Sequence, residues 1–104
     1  PVPALREALA KVPRLEAAAI YGSWAKRRSG EPGQVPHDLD VLAIGTPSRH
    51  ALYEAIDDVE QRLGLEINVK KLSREGWNSD DPFVKTVRSR PIIPLFGDLG
   101  DNDA

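Results

Sequence analysis

Apolar residues along this chain switch repeatedly between helical and strand spacing. Leu5, Ala8, Leu9 and Val12 follow the i, i+3, i+4, i+7 pattern of one helix face. Pro13 stops that helix. Glu16 to Tyr21 is short, apolar and bounded by breakers, which predicts a buried strand ending at Gly22. Ser23 is placed to cap a short helix through Arg28. Residues 29–36 are rich in glycine and proline and predict a loop. Leu39 to Ile44 predicts a second strand, apolar on both faces and therefore central. Thr46 and Pro47 predict the start of the longest helix, with Thr46 as N-cap and Pro47 at the first helical position. Ala51, Leu52, Ala55, Ile56, Val59 and Leu63 form its stripe, and Gly64 is its expected C-cap. Leu65 to Leu72 predicts a third strand, with Leu65, Ile67 and Val69 on one face and Glu66, Asn68 and Lys70 on the other. Two short helical pieces follow, Ser73 to Trp77 and Pro82 to Arg88. Residues 91–96 are apolar but carry two prolines, which predicts an edge strand or an extended packing segment. Strands alternating with helices indicate an α/β layer fold.

Composition narrows the chemistry. At 104 residues the chain is one small domain, expected over residues 1–96 with an acidic, flexible tail over 97–104. With no cysteine, disulfides, thiolate catalysis and Cys-ligated metal sites are excluded, which fits a cytoplasmic setting. A formal net charge of −2 argues against a general polyanion binder. The apolar run Ala17 to Tyr21 is far too short to span a bilayer, so no membrane partner is expected. The chain opens Pro1-Val2-Pro3 and lacks methionine, which reads as a piece of a longer protein.

The sharpest candidate chemistry joins Gly22-Ser23 to Asp38-Leu39-Asp40. The Gly-Ser pair ends a strand and begins a helix, so its backbone N–H groups can meet an anion, and a glycine lets a phosphate approach closely. Asp38 and Asp40 are two apart on a strand and project to the same face. Two converging carboxylates repel each other unless a cation sits between them. Mg²⁺ suits that place because it takes oxygen ligands and shares them with nucleotide phosphates. Alone, a Gly-Ser is usually a turn and an Asp-x-Asp a solvated strand entry; the ordered combination is the specific signal.

Ile20-Tyr21-Gly22-Ser23-Trp24-Ala25, together with His37-Asp38-Leu39-Asp40-Val41-Leu42, resembles the minimal nucleotidyltransferases of the DNA polymerase beta superfamily. The resemblance covers residues 15–70. Within that superfamily the chain resembles the branch fused behind a winged-helix DNA-binding domain in bacterial regulators. It shares the Gly-Ser-Trp-Ala opening, the Gly/Pro loop, a helix beginning near Arg49, and an ending like Asp81-Pro-Phe and Ile-Pro-Leu. The resemblance implies a small α/β nucleotidyltransferase-like fold with a mixed sheet and flanking helices. It implies that Gly22 and Ser23 hold nucleotide phosphate and that Asp38 and Asp40 bind Mg²⁺.

Two features depart from the family. The superfamily supplies a third carboxylate from the next strand as the base that activates the acceptor. Here the strand pattern puts Asn68 at that position, and an amide cannot accept a proton. Glu66 lies two residues earlier on the same face; it either substitutes or is an ordinary exposed glutamate. The loop between Gly22 and Asp38 is also longer than in compact members, and is either a lid or a spacer.

Other residues carry two readings each. Lys26, Arg27 and Arg28 either neutralise a triphosphate or form a solvated helix face; Arg27, four residues from Ser23, returns to the same helix side. Lys70 either meets a phosphate or is a solvated strand end. His37 either tunes the site's charge near neutral pH or is a loop histidine, and His50 reads as a surface one. Trp24 packs on the sheet or stacks on adenine, and Trp77 and Phe83 pin the C-terminal segments to the core or meet a partner.

The leading expectation is Mg²⁺-dependent transfer of a nucleoside monophosphate, most simply AMP from ATP, to a protein, RNA or small-molecule acceptor. An antitoxin role acting on a partner toxin goes with that resemblance. The alternative is a catalytically weak or inactive nucleotide-sensing or protein-binding module of a transcriptional regulator, which would reach nucleic acid only through an N-terminal domain preceding Pro1. A purely structural domain must treat the two aspartates as accidental.

Overall fold

A computed structural model describes residues 2–22 and 38–99. Its elements run α1 (Val2–Leu9), β1 (Leu15–Tyr21), β2 (Asp38–Gly45), α2 (Arg49–Leu63), β3 (Glu66–Leu72), α3 (Arg74–Trp77), α4 (Pro82–Arg88) and β4 (Ile93–Gly97). The strands form one sheet in the order β3-β2-β1-β4. β2 and β3 are parallel, as a strand–helix–strand crossover through α2 requires, and the other two pairings are antiparallel. The sheet is therefore mixed, with helices on both faces, as expected. The helix expected over 23–28, the loop over 29–36 and the side chains of Trp24, Lys26, Arg28 and His37 lie outside the described residues.

Alternation along β2 divides its side chains between two cores. Leu39, Val41 and Ala43 join Leu5, Leu9, Leu52, Ile56 and Val59 beneath α1 and α2. Leu42 and Ile44 face the other way and pack with Ala17, Trp77, Val84 and Val87 beneath α3 and α4. Asp38 and Asp40 share the parity of Leu42 and Ile44. The acids therefore open on the α3/α4 face, at the end of the sheet where β2 and β3 begin and β1 finishes. Ile67 and Val69 of β3, with Leu65 just before it, go with the α1/α2 core.

Three local expectations are corrected. The N-cap of α2 is Ser48, not Thr46: its hydroxyl accepts from the Ala51 N–H at 3.3 Å and its backbone is extended. Pro47 thus precedes the helix instead of opening it, because a side-chain acceptor three residues before Ala51 satisfies an otherwise orphan donor. Leu63 is not part of the buried stripe; at 38% exposure it lies past the last turn that packs on the sheet. Gly97 to Leu99 do not begin a loose tail. Gly97 pairs with Ala17 in β4, the Asp98 carbonyl accepts from Arg74 at 2.7 Å, and the Leu99 carbonyl accepts from Trp77 Nε1 at 2.6 Å. Residues 100–104 lie outside the described residues. Gly64 does cap α2, donating its N–H to the Glu60 carbonyl at 2.8 Å. No helix among the described residues is long and apolar enough to cross a membrane.

Candidate functional site

Strand register assembles the site from residues far apart in sequence. In the parallel β2–β3 pair, Asp38 stands opposite Glu66 and Asp40 opposite Asn68. In the antiparallel β1–β2 pair, Asp40 stands opposite Tyr21. One row of the sheet thus reads Tyr21, Asp40, Asn68, with Asp38 and Glu66 in the next row toward the open end.

The two aspartates converge on one amide. Asn68 Nδ2 donates to Asp38 Oδ2 at 3.3 Å and to Asp40 Oδ1 at 3.3 Å. Both bonds lie at the long end of useful geometry. They hold together two carboxylates that would otherwise repel. Glu66, though in register with Asp38, is exposed and does not complete a set of three acids. No group of three or more His, Asp or Glu side chains able to hold a metal occurs among the described residues.

Gly22 fixes the other wall. Its φ is +78°, a conformation costly to any residue with a Cβ. A Cβ added there would collide with Asp40 Oδ2 and stand 3.3 Å from its carboxylate carbon. The glycine at the end of β1 is thus what lets the turn backbone and the Asp40 carboxylate touch. Ser23 and Arg27, the other two residues expected to hold nucleotide, lie outside the described residues.

Three further side chains share the acids' face of the sheet. The Tyr21 ring meets Phe83 edge to face, with centroids 5.8 Å apart. Burial raises the Tyr21 phenol above its ordinary value, and the Asp40 charge adds to the rise. Lys70 follows Asn68 on the same face of β3 and holds its Nζ 5.2 Å from the centre of the Phe83 ring. Lys70 stands opposite Leu42, one row in from Asp40 and Asn68 on the same face, which accords with its phosphate reading. Sequence reasoning did not place Tyr21 or Phe83 in the site. The first becomes visible only through the antiparallel register and the second only once α4 is laid on the sheet. Of the neighbouring basic residues, Arg88 is structural: it donates to the Trp77 carbonyl at 2.9 Å and stacks 4.0 Å from the Trp77 ring centre.

The donor set fits a single hard cation. Two carboxylates would offer oxygen ligands, and the Asn68 amide, which here turns its nitrogen to them, would offer a third by turning its carbonyl inward; Mg²⁺ is a cation that takes such ligands and shares them with phosphates. A wider surface opening among the described residues lies elsewhere. It measures about 750 Å³, runs along Arg49, His50, Tyr53 and Asp57 of α2, and sits on the opposite face and at the opposite end of the sheet.

The sequence matches no protein-family model and no curated protein. The fold does match solved structures. One is a toxin–antitoxin crystal structure with AMP-PNP, at a TM-score of 0.62 and 15% identity over 93% of this chain and 73% of that one. A second is the toxin–antitoxin MntA–HpeT carrying two Asp-to-Glu exchanges two positions apart, with a TM-score of 0.57 and 15% identity over 93% and 70% of the chains. A third is a tri-AMPylated HEPN toxin of Shewanella oneidensis in complex with MNT antitoxin, with a TM-score of 0.55 and 14% identity over 94% and 74%. At these identities the likeness is one of fold, and the fold is that of the nucleotidyltransferases.

Proposed function

We propose that this domain binds a nucleoside triphosphate, most simply ATP, with Mg²⁺, and acts as a nucleotidyltransferase of antitoxin type toward a protein partner. The observation that carries this reading is the convergence of Asp38 and Asp40 against the Gly22 turn. The similar structures support it: one was crystallised with AMP-PNP, and another holds an AMPylated toxin beside its antitoxin. The paired Asp-to-Glu exchanges in the second have the same spacing as Asp38 and Asp40.

In this reading Gly22 admits the phosphates to the turn, and Asp38, Asp40 and the Asn68 carbonyl hold the cation. When bound, Mg²⁺ supplies charge neutralisation for the phosphates and the leaving pyrophosphate. Lys70, steadied against Phe83, adds a fixed positive charge on the same face. An acceptor hydroxyl oxygen forms a bond to the α-phosphorus while the bond from that phosphorus to the bridging oxygen breaks, releasing pyrophosphate. The hydroxyl proton cannot go to Asn68. It passes to water or to a base that the acceptor protein brings.

That missing base favours a second reading, a module that senses nucleotide or binds a protein without transferring. The finer resemblance to regulators carrying a winged-helix domain belongs with it. The two readings separate in one experiment. The domain is incubated with α-labelled ATP, Mg²⁺ and the protein encoded beside its gene. Label on the partner, lost in Asp38→Ala and Asp40→Ala, establishes transfer. Tight Mg²⁺-dependent ATP binding with no label on any protein establishes the sensor instead.

A further inference from the structure

Next to the carboxylates, between the end of β1 and the segment leading from α4 into β4, the surface opens into a cavity of about 200 Å³. Its walls are Tyr21, Phe83, Val87 and Pro91, and exposed Thr86 and Arg90 stand at its mouth. Gly22 lines it as well. We infer that this cavity is the subsite for the flat heteroaromatic base of the bound nucleotide, an assignment that rests on the nucleotide reading above and extends it.

Size is the first argument. Pockets that enclose a whole drug-sized ligand run to roughly 300–1,000 Å³. This one is smaller and takes a ring system, not a ring system with sugar and three phosphates. Chemistry is the second. Two aromatic rings, a valine and a proline make an apolar slot for ring faces and edges. A hydroxyl and a guanidinium at the mouth offer hydrogen bonds to ring nitrogens and exocyclic groups. Bases gain most from aromatic contact of this kind, and that gain does not depend on sequence-like recognition.

Continuity is the third argument. Gly22 borders the cavity on one side and touches the Asp40 carboxylate on the other. A ligand with its phosphates at the acids has only this one residue to cross before its remainder reaches the slot. The slot is also preformed. Phe83 is set by the Asp81 cap of α4, whose carboxylate accepts from the Phe83 N–H at 2.8 Å, and by its edge contact with Tyr21. The rings need little ordering on binding.

The test uses calorimetric titration of the full chain with Mg·ATP and with Mg·tripolyphosphate, which shares the phosphates and lacks the base. Thr86→Trp fills the mouth from an exposed helix position, and Arg90→Ala leaves the cavity open while removing one polar group; circular dichroism checks that both fold. The wild type is expected to bind ATP about tenfold or more tightly than tripolyphosphate. Thr86→Trp should bring ATP down to the tripolyphosphate level without changing tripolyphosphate, and Arg90→Ala should weaken ATP alone. Equal binding of the two ligands by the wild type overturns the assignment, as does ATP binding that neither variant alters. Asp40→Ala distinguishes the two claims. If it weakens neither ligand while Thr86→Trp still weakens ATP, the carboxylate reading fails and the base subsite stands. If the wild type binds neither ligand, both fall.

Discussion

At the residue scale the site turns on one exchange of oxygen for nitrogen. An Asp at position 68 would face Asp40 across the β2–β3 ladder and add a third negative charge beside Asp38. Asn68 instead bridges the pair with its amide. Asn68→Asp should therefore raise Mg²⁺ affinity on the order of tenfold, because cation affinity follows ligand charge. It should also lower the melting temperature in EDTA, where the third carboxylate only repels the others. Calorimetric Mg²⁺ titration and paired thermal melts check both halves; an unchanged affinity would show that residue 68 does not face the cation. Tyr21 gives a second test at this scale. Its phenol is raised by burial and then by Asp40, so the folded state keeps the proton longer than the unfolded chain does. The resulting contribution is fully present below pH 10.0, the ordinary tyrosine value, and is lost as pH rises through the folded value. Urea melts should show wild-type stability falling more steeply above that pH than Tyr21→Phe stability does. Parallel curves would mean that the ring is as solvated folded as unfolded.

Elements were the most legible level of the sequence, and their ends the least. The apolar positions between Leu39 and Ile44 mark a central strand because both faces are covered, and the structure buries Leu39, Val41, Leu42, Ala43 and Ile44. Proline at 82 after Asp81 marks the start of α4, where the Asp81 carboxylate accepts from the Phe83 N–H. The start of α2 was misread because Thr46-Pro47 and Ser48 are both acceptable openings in local terms. Which one caps depends on where the strand releases the chain. Ser48→Ala should cost about 1 kcal/mol in a denaturant melt, the usual value of a lost N-cap, while Thr46→Ala should stay within about 0.5 kcal/mol. An equal loss at both positions would contradict the cap assignment.

Across the whole molecule, the sequence shows which residues can do chemistry and the sheet decides which of them meet. The Asp-x-Asp spacing and the Gly-Ser turn are local signals, and the α/β layer class follows from alternating elements. Placing Tyr21 beside Asp40 requires the β1–β2 register, and placing Asn68 rather than Glu66 beside it requires the β2–β3 register. Neither is encoded in local spacing, since a parallel pairing shifted by two residues keeps the same faces. The base cavity is less legible still, because it joins the end of β1 to a helix more than sixty residues later. Ties such as Arg6 Nε to the Leu95 carbonyl at 2.6 Å close the two ends of the chain onto this frame.

The proposed function stands on a nucleotide held through a cation by Asp38 and Asp40. The most direct measurement is a calorimetric titration of ATP into the wild type and Asp40→Ala, each with Mg²⁺ and with EDTA. The account predicts saturable binding by the wild type with Mg²⁺ and its loss both in EDTA and in Asp40→Ala. ATP binding of equal affinity in all four titrations, or in none of them, would contradict it.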